Sequence, residues 1–421
     1  MLRIWGHRCA FATRDSNVYR FLGRSIYLTS YLQDTTEIVD ATRSSELRVG
    51  VLGLGAIGTI FFTRLGLLAT NSKAKKELPT LTVDALVKPE QFGNWEEETL
   101  EFRVDLSKGV AAVLDAPNVR VRTLDCVGVD SYDDKLDVLL VAVKAYDSVT
   151  VIRELKEKNK HLLKDDALCI LLQNGLGEVP EVEGNGLSGV EDRWQFANAV
   201  TFVGGRVVEF GSVVASGLDA GMTYLAPFGG SEEEMQLQKE RDVKVEMLAQ
   251  IFLAAGLRCK VLEISEMQAM LWRKLIVNAA INPLASLLDA PNKVNVRLSP
   301  SWHVLVIPLT SLSVASSEGS RHCVNMVVQE SLAVAKSEQI PLSFSQNELV
   351  EDILDVARNT GTNVCSMLAD LRRGSKTEID AITGRIVAGG KRHGIPTPTN
   401  ELLLSLIKAL EEDGTRRIEY T

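Results

Sequence analysis

Beginning at Arg48, short apolar runs alternate with longer segments in which apolar positions return at helical spacing. The first run, Arg48-Val-Gly-Val-Leu, passes through a glycine-rich turn into a helix-like segment ending near Ala69. Later runs at 81–87, 136–143 and 168–172 each stop at polar residues: Lys88, Lys144, and the pair Gln173 and Asn174. Strands that alternate with helical segments predict crossover units and a parallel sheet. Between 197 and 226 β-branched residues are broken by Gly204, Gly205, Gly211, Gly217 and Gly221, which predicts hairpins that extend the sheet with antiparallel strands. From Val243 onward nearly every long segment has helical period, over 264–289, 324–338, 346–358, 364–372, 377–393 and 399–412. A lysine-rich stretch at 71–79 and a Ser-rich, aperiodic one at 293–321 interrupt this pattern and read as solvated insertions, the second also as translated non-coding sequence.

The organisation that follows is α/β: an extension over 1–47, a sheet-bearing domain over 48–263 and an all-α domain over 264–421 with an irregular insertion at 293–321. Residues 1–33 carry Arg3, Arg8, Arg14, Arg20 and Arg24 against the single acid Asp15. That is the bias of a mitochondrial transit peptide, and a disordered tail or a misplaced start codon fits it equally, so cytoplasm and mitochondrion both stay open.

Charge and cysteine usage narrow the chemistry. The 421 residues hold 46 Lys+Arg against 55 Asp+Glu, a net charge of -9, which leaves no broad cationic surface for nucleic acid. The longest charge-free apolar stretches, near 49–63 and 304–315, are too short to cross about 30 Å of hydrocarbon, so no membrane span is expected. Six single cysteines make no CxxC and no finger-like spacing with the five histidines, so neither disulfides nor a metal site is expected.

Gly53-Leu54-Gly55-Ala56-Ile57-Gly58 spells G-x-G-x-x-G between a predicted strand and a predicted helix. The first glycine permits the tight turn, the second lets backbone approach a pyrophosphate, and the third lets the helix pack on the strand. In that setting the motif predicts a Rossmann-type dinucleotide-binding domain. The second strand ends in Lys88 where an NAD site places an acid, which predicts NADPH, the cation meeting the 2′-phosphate. Lys144 and Asn174 follow two further strands at the edge where open α/β sheets bind ligands. In Leu271-Trp-Arg-Lys-Leu-Ile-Val-Asn-Ala-Ala-Ile-Asn-Pro283, Lys274, Asn278 and Asn282 form one stripe with only about 40° of drift per step. Burying such a stripe among Leu, Ile, Val and Ala requires partners, a ligand or water, unless it is a solvated outer face. Pro283 is expected to end or kink that helix. Ser366 and Glu378 lie in a second polar cluster, where Ser375 to Glu378 also spells a capping box in which Glu378 would only satisfy backbone.

Taken together, the glycine turn, Leu-Gln-Asn-Gly at 172–175, Trp-Arg-Lys-Leu with Asn-Pro-Leu at 272–284, the Ser-Met and Thr-Glu-Ile-Asp pair at 366–380 and Gly-Ile-Pro-Thr-Pro-Thr-Asn at 394–400 resemble the ketopantoate reductases (2-dehydropantoate 2-reductases). The resemblance runs from about Arg48 to about Ile407. It implies a Rossmann domain joined to a helical domain like that of 6-phosphogluconate dehydrogenase, and NADPH-dependent reduction of ketopantoate in pantothenate synthesis. It further implies Lys274 as general acid, Asn278, Asn282 and Ser366 as substrate ligands and Glu378 as the site's glutamate. Lys144 and Asn174 match cofactor-side residues, and Lys88 stands where the family often has Arg; lysine keeps the charge but loses the bidentate fork. Hydride delivered to a 2-oxo acid builds negative charge on the carbonyl oxygen, which a positioned ammonium can neutralise and protonate. The expected partner is therefore a small 2-oxo acid, with a homodimer admitted. A reductase of another 2-oxo acid or ketone, and a non-catalytic NADP-sensing regulator, are the competing readings.

Overall fold

The computed structural model describes residues 46–70, 78–88, 100–105, 111–114, 118–124, 134–176, 194–228, 235–289, 317–359 and 364–413. The readings of the extension at 1–33 and of most of the 293–321 insertion lie outside these residues. So does most of the lysine-rich stretch at 71–79.

Eight strands form the main sheet. They are β1 (Glu46–Leu52), β2 (Thr80–Val87), β5 (Val119–Thr123), β6 (Leu136–Val141), β7 (Leu163–Leu172), β8 (Gln195–Thr201), β11 (Thr223–Pro227) and β12 (Cys259–Val261). Their order is β12-β11-β8-β7-β6-β1-β2-β5, and the run from β8 to β5 is parallel throughout. This is the doubly wound order in which the chain steps outward twice from β1, then returns to β6 on its other side. Val51 of β1 accordingly lies between Ala85 of β2 and Leu140 of β6.

Helices cover both faces, which is why these strands read as continuous apolar runs rather than alternating ones. On one face α1 (Ala56–Thr70) and α3 (Met235–Ala254) bury Phe61 and Phe252 edge to face, ring centroids 5.2 Å apart. On the other, Ile152 and Leu155 of α2 (Ala145–Lys158) pack with Leu139, Val141 and Phe196.

The glycine-rich stretch is only partly as expected. β11 does extend the main sheet, antiparallel to β8. The hairpin of β9 (Gly204–Glu209) and β10 (Ser212–Ser216) instead joins β3 (Leu100–Asp105) and β4 (Ala111–Leu114) in a separate sheet of order β4-β3-β10-β9. This sheet lies against α1 closely enough that a Cβ on Gly205 would stand 2.9 Å from Ile60 and 3.2 Å from Ala56.

The helical part contains α4 (Ile264–Leu287), α5 (Glu318–Ser337), α6 (Gln346–Asn359), α7 (Ser366–Arg372), α8 (Thr383–His393) and α9 (Pro398–Asp413). Leu275, Ile276 and Ala279 of α4 anchor its core, against Val327 of α5, Leu368 of α7 and Ile407 of α9. Three expectations are corrected here. Helix α4 continues to Leu287, so Pro283 does not end it: buried Ala280, Ile281 and Ala285 on both sides hold the helix in place against a missing backbone hydrogen bond. Residues 317–321 are ordered helix start, with Ser317 Oγ accepting from Ser320 N at 2.9 Å. Helix α8 begins at Thr383, so Ser375 to Glu378 is no capping box. Capping boxes form instead from Glu263 and Glu266 at the start of α4 and from Ser345 and Glu348 at the start of α6. No helix among the described residues is long and apolar enough to cross a membrane.

One polar feature inside the sheet has a clear energetic consequence. Asp84 of β2 is fully buried, and its carboxylate accepts from Arg120 Nε at 2.7 Å and Arg122 at 3.0 Å on β5. Asp84→Ala removes the buried anion that the two guanidinium groups share. The expected cost is about 3 kcal/mol of stability, read from denaturant unfolding, and a loss within the scatter of surface substitutions contradicts it.

Candidate active site

The strand order reverses between β1 and β6, which stay paired to their carboxyl ends, where the Ala142 N–H donates to the Leu52 carbonyl at 2.8 Å. The chain beyond β1 leads to β2 on one side while that beyond β6 leads to β7 on the other, the switch point at which open α/β sheets bind ligands. The glycine turn lies there. Gly53 has φ +94°, and a Cβ there would stand 3.0 Å from the Ala142 carbonyl. A Cβ on Gly58 would fall 1.9 Å from the Gly53 oxygen, so only glycine lets α1 start this close to β1. At Gly55 the same Cβ would meet nothing within 4 Å. Leu54, Ala56 and Ile57 complete the turn, and the unpaired N–H groups of the first turn of α1 suit an anion. These residues fit a dinucleotide pyrophosphate. Lys88 follows β2 at the same sheet edge, with its side chain exposed.

Further along that edge, the loops after β6 and β7 meet the segment between α7 and α8. Lys144 Nζ lies 2.6 Å from Asp370 and 3.7 Å from Glu378. The Glu378 carboxylate accepts from the Ala145 backbone N–H and from Asn174 Nδ2, each at 3.1 Å. Gly175 has φ +87°, and a Cβ there would stand 2.8 Å from the Ala381 oxygen, which shows how closely the two segments approach. Burial works against the charge on Lys144, but Glu378 and Asp370 outweigh it and hold its pKa above the ordinary lysine value. Glu378 and Asp370 are both nearly buried, so each anion is held by protein donors rather than water.

Lys274 projects from α4 toward the end of β8. Its Nζ donates to the Thr201 carbonyl at 2.8 Å and lies over the Phe202 ring, 5.7 Å from its centroid. Burial pulls its pKa down to about 8, with Glu378 pulling the other way. The group can therefore give or take a proton near neutral pH. Asn278 and Asn282 follow on successive turns of the same helix stripe, Asn282 buried. Ser366 opens α7, exposed, one turn before Asp370, while the neighbouring Cys365 is the residue that caps the helix.

The structure thus brings Lys144, Asn174 and Glu378 into direct contact, and Lys274 into the field of Glu378. Asp370, Thr201 and Phe202 are absent from the sequence-based set. Asp370 lies one turn after Ser366 on α7, and nothing in the sequence marked it as the partner of the half-buried Lys144.

Comparison with known proteins decides the family. Residues 49–230 match the model for ketopantoate reductase PanE/ApbA, and residues 266–411 match the model for its C terminal part. A 2-dehydropantoate 2-reductase of Pyrobaculum aerophilum is 31% identical over 278 residues, 66% of this chain and 78% of that protein. The chain belongs to the ketopantoate reductase family. The 2-dehydropantoate 2-reductase of Archaeoglobus fulgidus is 28% identical over 281 residues, covering 67% of this chain and 79% of the relative. Among solved structures, the fold is shared with a PanE/ApbA family ketopantoate reductase from Ralstonia eutropha, TM-score 0.62 at 23% identity, covering 87% of this chain and 99% of that one. A D-mandelate dehydrogenase solved with NADH and anilino(oxo)acetate has the same fold at TM-score 0.62 and 21% identity, with the same coverage of 87% and 99%. In this ketopantoate reductase family member, every residue nominated from the sequence falls within the described structure.

Proposed function

We propose that this chain reduces 2-dehydropantoate to pantoate with NADPH, a step of pantothenate synthesis, with Lys274 as general acid. The observation that carries the reading is Lys274 itself: an amine with its pKa drawn down to about 8, on the helix stripe that also bears Asn278 and Asn282. In this reading residues 48–263 hold the dinucleotide and residues 264–421 supply the substrate-side groups. Gly53, Leu54, Gly55, Ala56, Ile57 and Gly58 hold the pyrophosphate, Lys88 the 2′-phosphate, and Lys144 and Asn174 the nicotinamide side. When bound, the reduced dinucleotide supplies the hydride.

The chain's own residues do the rest. Lys274 neutralises the charge that grows on the carbonyl oxygen and transfers its proton there, so a hydroxyl forms as the C–H bond does. An ammonium has three N–H groups, so Lys274 donates one to the Thr201 carbonyl and has others for that oxygen. Glu378 keeps the ammonium charged by its field and holds Asn174 and the Ala145 N–H in place. Asn278, Asn282 and Ser366 bind the acid's hydroxyl and carboxylate groups.

The test is turnover. NADPH oxidation by the full chain, with 2-dehydropantoate and a panel of other 2-oxo acids, is expected to favour 2-dehydropantoate. Activity on another acid alone reassigns the substrate, and NADPH binding without turnover contradicts catalysis. For the cofactor, Lys88→Ala is expected to raise the KM for NADPH roughly tenfold while leaving that for NADH unchanged, since a charge-assisted bond to phosphate is lost. Equal changes for the two cofactors contradict the role of Lys88.

A further inference from the structure

Phe202 is 46% exposed although Thr201 and Val203 on either side of it are buried. It closes the end of β8, and its ring is fixed from two directions. Tyr224 of β11 meets it edge to face, centroids 6.1 Å apart and planes at 90°. Lys274 Nζ stands over it at 5.7 Å, held at the same time by the carbonyl of Thr201. Behind the ring Tyr224 is itself packed with Val200, Met267 and Leu271, so the platform has a rigid back. The exposed part of the ring lies beside the Lys274 ammonium, so a molecule that takes a proton from that group also meets the ring and can cover its apolar surface.

We propose that Phe202 is a specificity-determining residue, its open ring face packing against the carbon substituent at C3 of the 2-oxo acid and favouring acids branched there. The proposal rests on Lys274 being the proton donor to the carbonyl oxygen. An oxygen within hydrogen-bond reach of Nζ, about 3 Å, brings the carbonyl carbon and its two substituents alongside a ring centred 5.7 Å from that nitrogen. One substituent is the carboxylate. The negative face of the π system and the neighbouring Thr201 carbonyl both repel it. The other is the C3 carbon, which sheds water against the ring without leaving any polar group unpaired. The ring therefore orients the acid as well as selecting it: carboxylate toward the amide and hydroxyl groups of α4 and α7, alkyl end toward β8. Each added methyl on C3 enlarges the contact, and one methylene in such a pocket is worth about 10- to 200-fold in kcat/KM.

The experiment uses the full chain with Phe202→Ala and Phe202→Leu. The quantity read is the ratio of kcat/KM for 2-dehydropantoate, dimethylated at C3, to kcat/KM for an unbranched 2-oxo acid, each with NADPH. Phe202→Ala is expected to lower that ratio at least about tenfold, the change appearing chiefly in KM for the branched acid. Phe202→Leu, apolar but without a π face, is expected to retain most of the preference. NADPH affinity near that of the unaltered chain confirms that both variants fold. A ratio unchanged in Phe202→Ala, or an equal fall for the two acids, overturns the proposal. Failure of the unaltered chain to reduce either acid is a different result, and it contradicts the proton-donor reading on which the proposal stands.

Discussion

Lys274→Ala is expected to lower kcat/KM for the reduction by about 10²- to 10⁴-fold, the range that one positioned acid contributes. NADPH binding should stay close to that of the unaltered chain, because the pyrophosphate turn and Lys88 are untouched. Stability separates this outcome from simple misfolding. The folded pKa of Lys274, about 8, lies below the ordinary 10.5, so the unfolded chain binds the proton more tightly between those values. Stability from this group therefore rises with pH through that window, and below pH 8 the buried ammonium is a net burden on the fold. Removing it should leave the unfolding midpoint at neutral pH unchanged or raised, even as the rate collapses. A rate that survives, or a loss of rate that merely follows a loss of folded protein, contradicts the assignment.

Glu378→Gln is the second large effect, and its signature is a displaced pH profile. Glutamine keeps an acceptor for the Ala145 N–H but removes the charge. Among the described residues Lys144 then retains Asp370 as its carboxylate partner, and Asn174 loses a charge-assisted hydrogen bond. Because Glu378 raises the pKa of Lys274, its loss moves that pKa below about 8. The alkaline fall in rate should therefore begin at lower pH than in the unaltered chain. At neutral pH kcat/KM is expected to drop about 10- to 100-fold, from fewer protonated Lys274 and a loosened Asn174. A reduced rate with an unshifted profile would leave Glu378 with a structural part only.

The sheet was legible because parallel strands covered on both faces write themselves as apolar runs, and the runs of β2, β6 and β7 each stop at polar residues at the carboxyl edge of the sheet. The glycine turn was legible because Gly53 and Gly58 each answer a separate steric demand, while Gly55 leaves open the space that a dinucleotide would need. The second sheet was not, since β3 (Leu-Glu-Phe-Arg-Val-Asp) and β4 are short and carry neither a long apolar run nor a turn signal. Local signals misled at two places. Ser375 to Glu378 has the right letters for a capping box, but Glu378 is drawn instead to the Ala145 N–H and Asn174, more than two hundred positions away in the chain. Pro283 has the right letter for a helix end, but tertiary packing along α4 outweighs it. Asp370 and Thr201 were invisible for a simpler reason: one is an unmarked acid in a short helix, and the other acts through its backbone carbonyl.

The central claim is that Lys274 is the acid of a carbonyl reduction. The pH dependence of kcat/KM in the direction of NADPH oxidation tests it most directly, because that profile reports the pKa of the essential acid before substrate binds. A single alkaline limb is predicted, with an apparent pKa of about 8, and Lys274→Ala should lack it. A rate that stays level up to the ordinary lysine value of 10.5 would contradict the account.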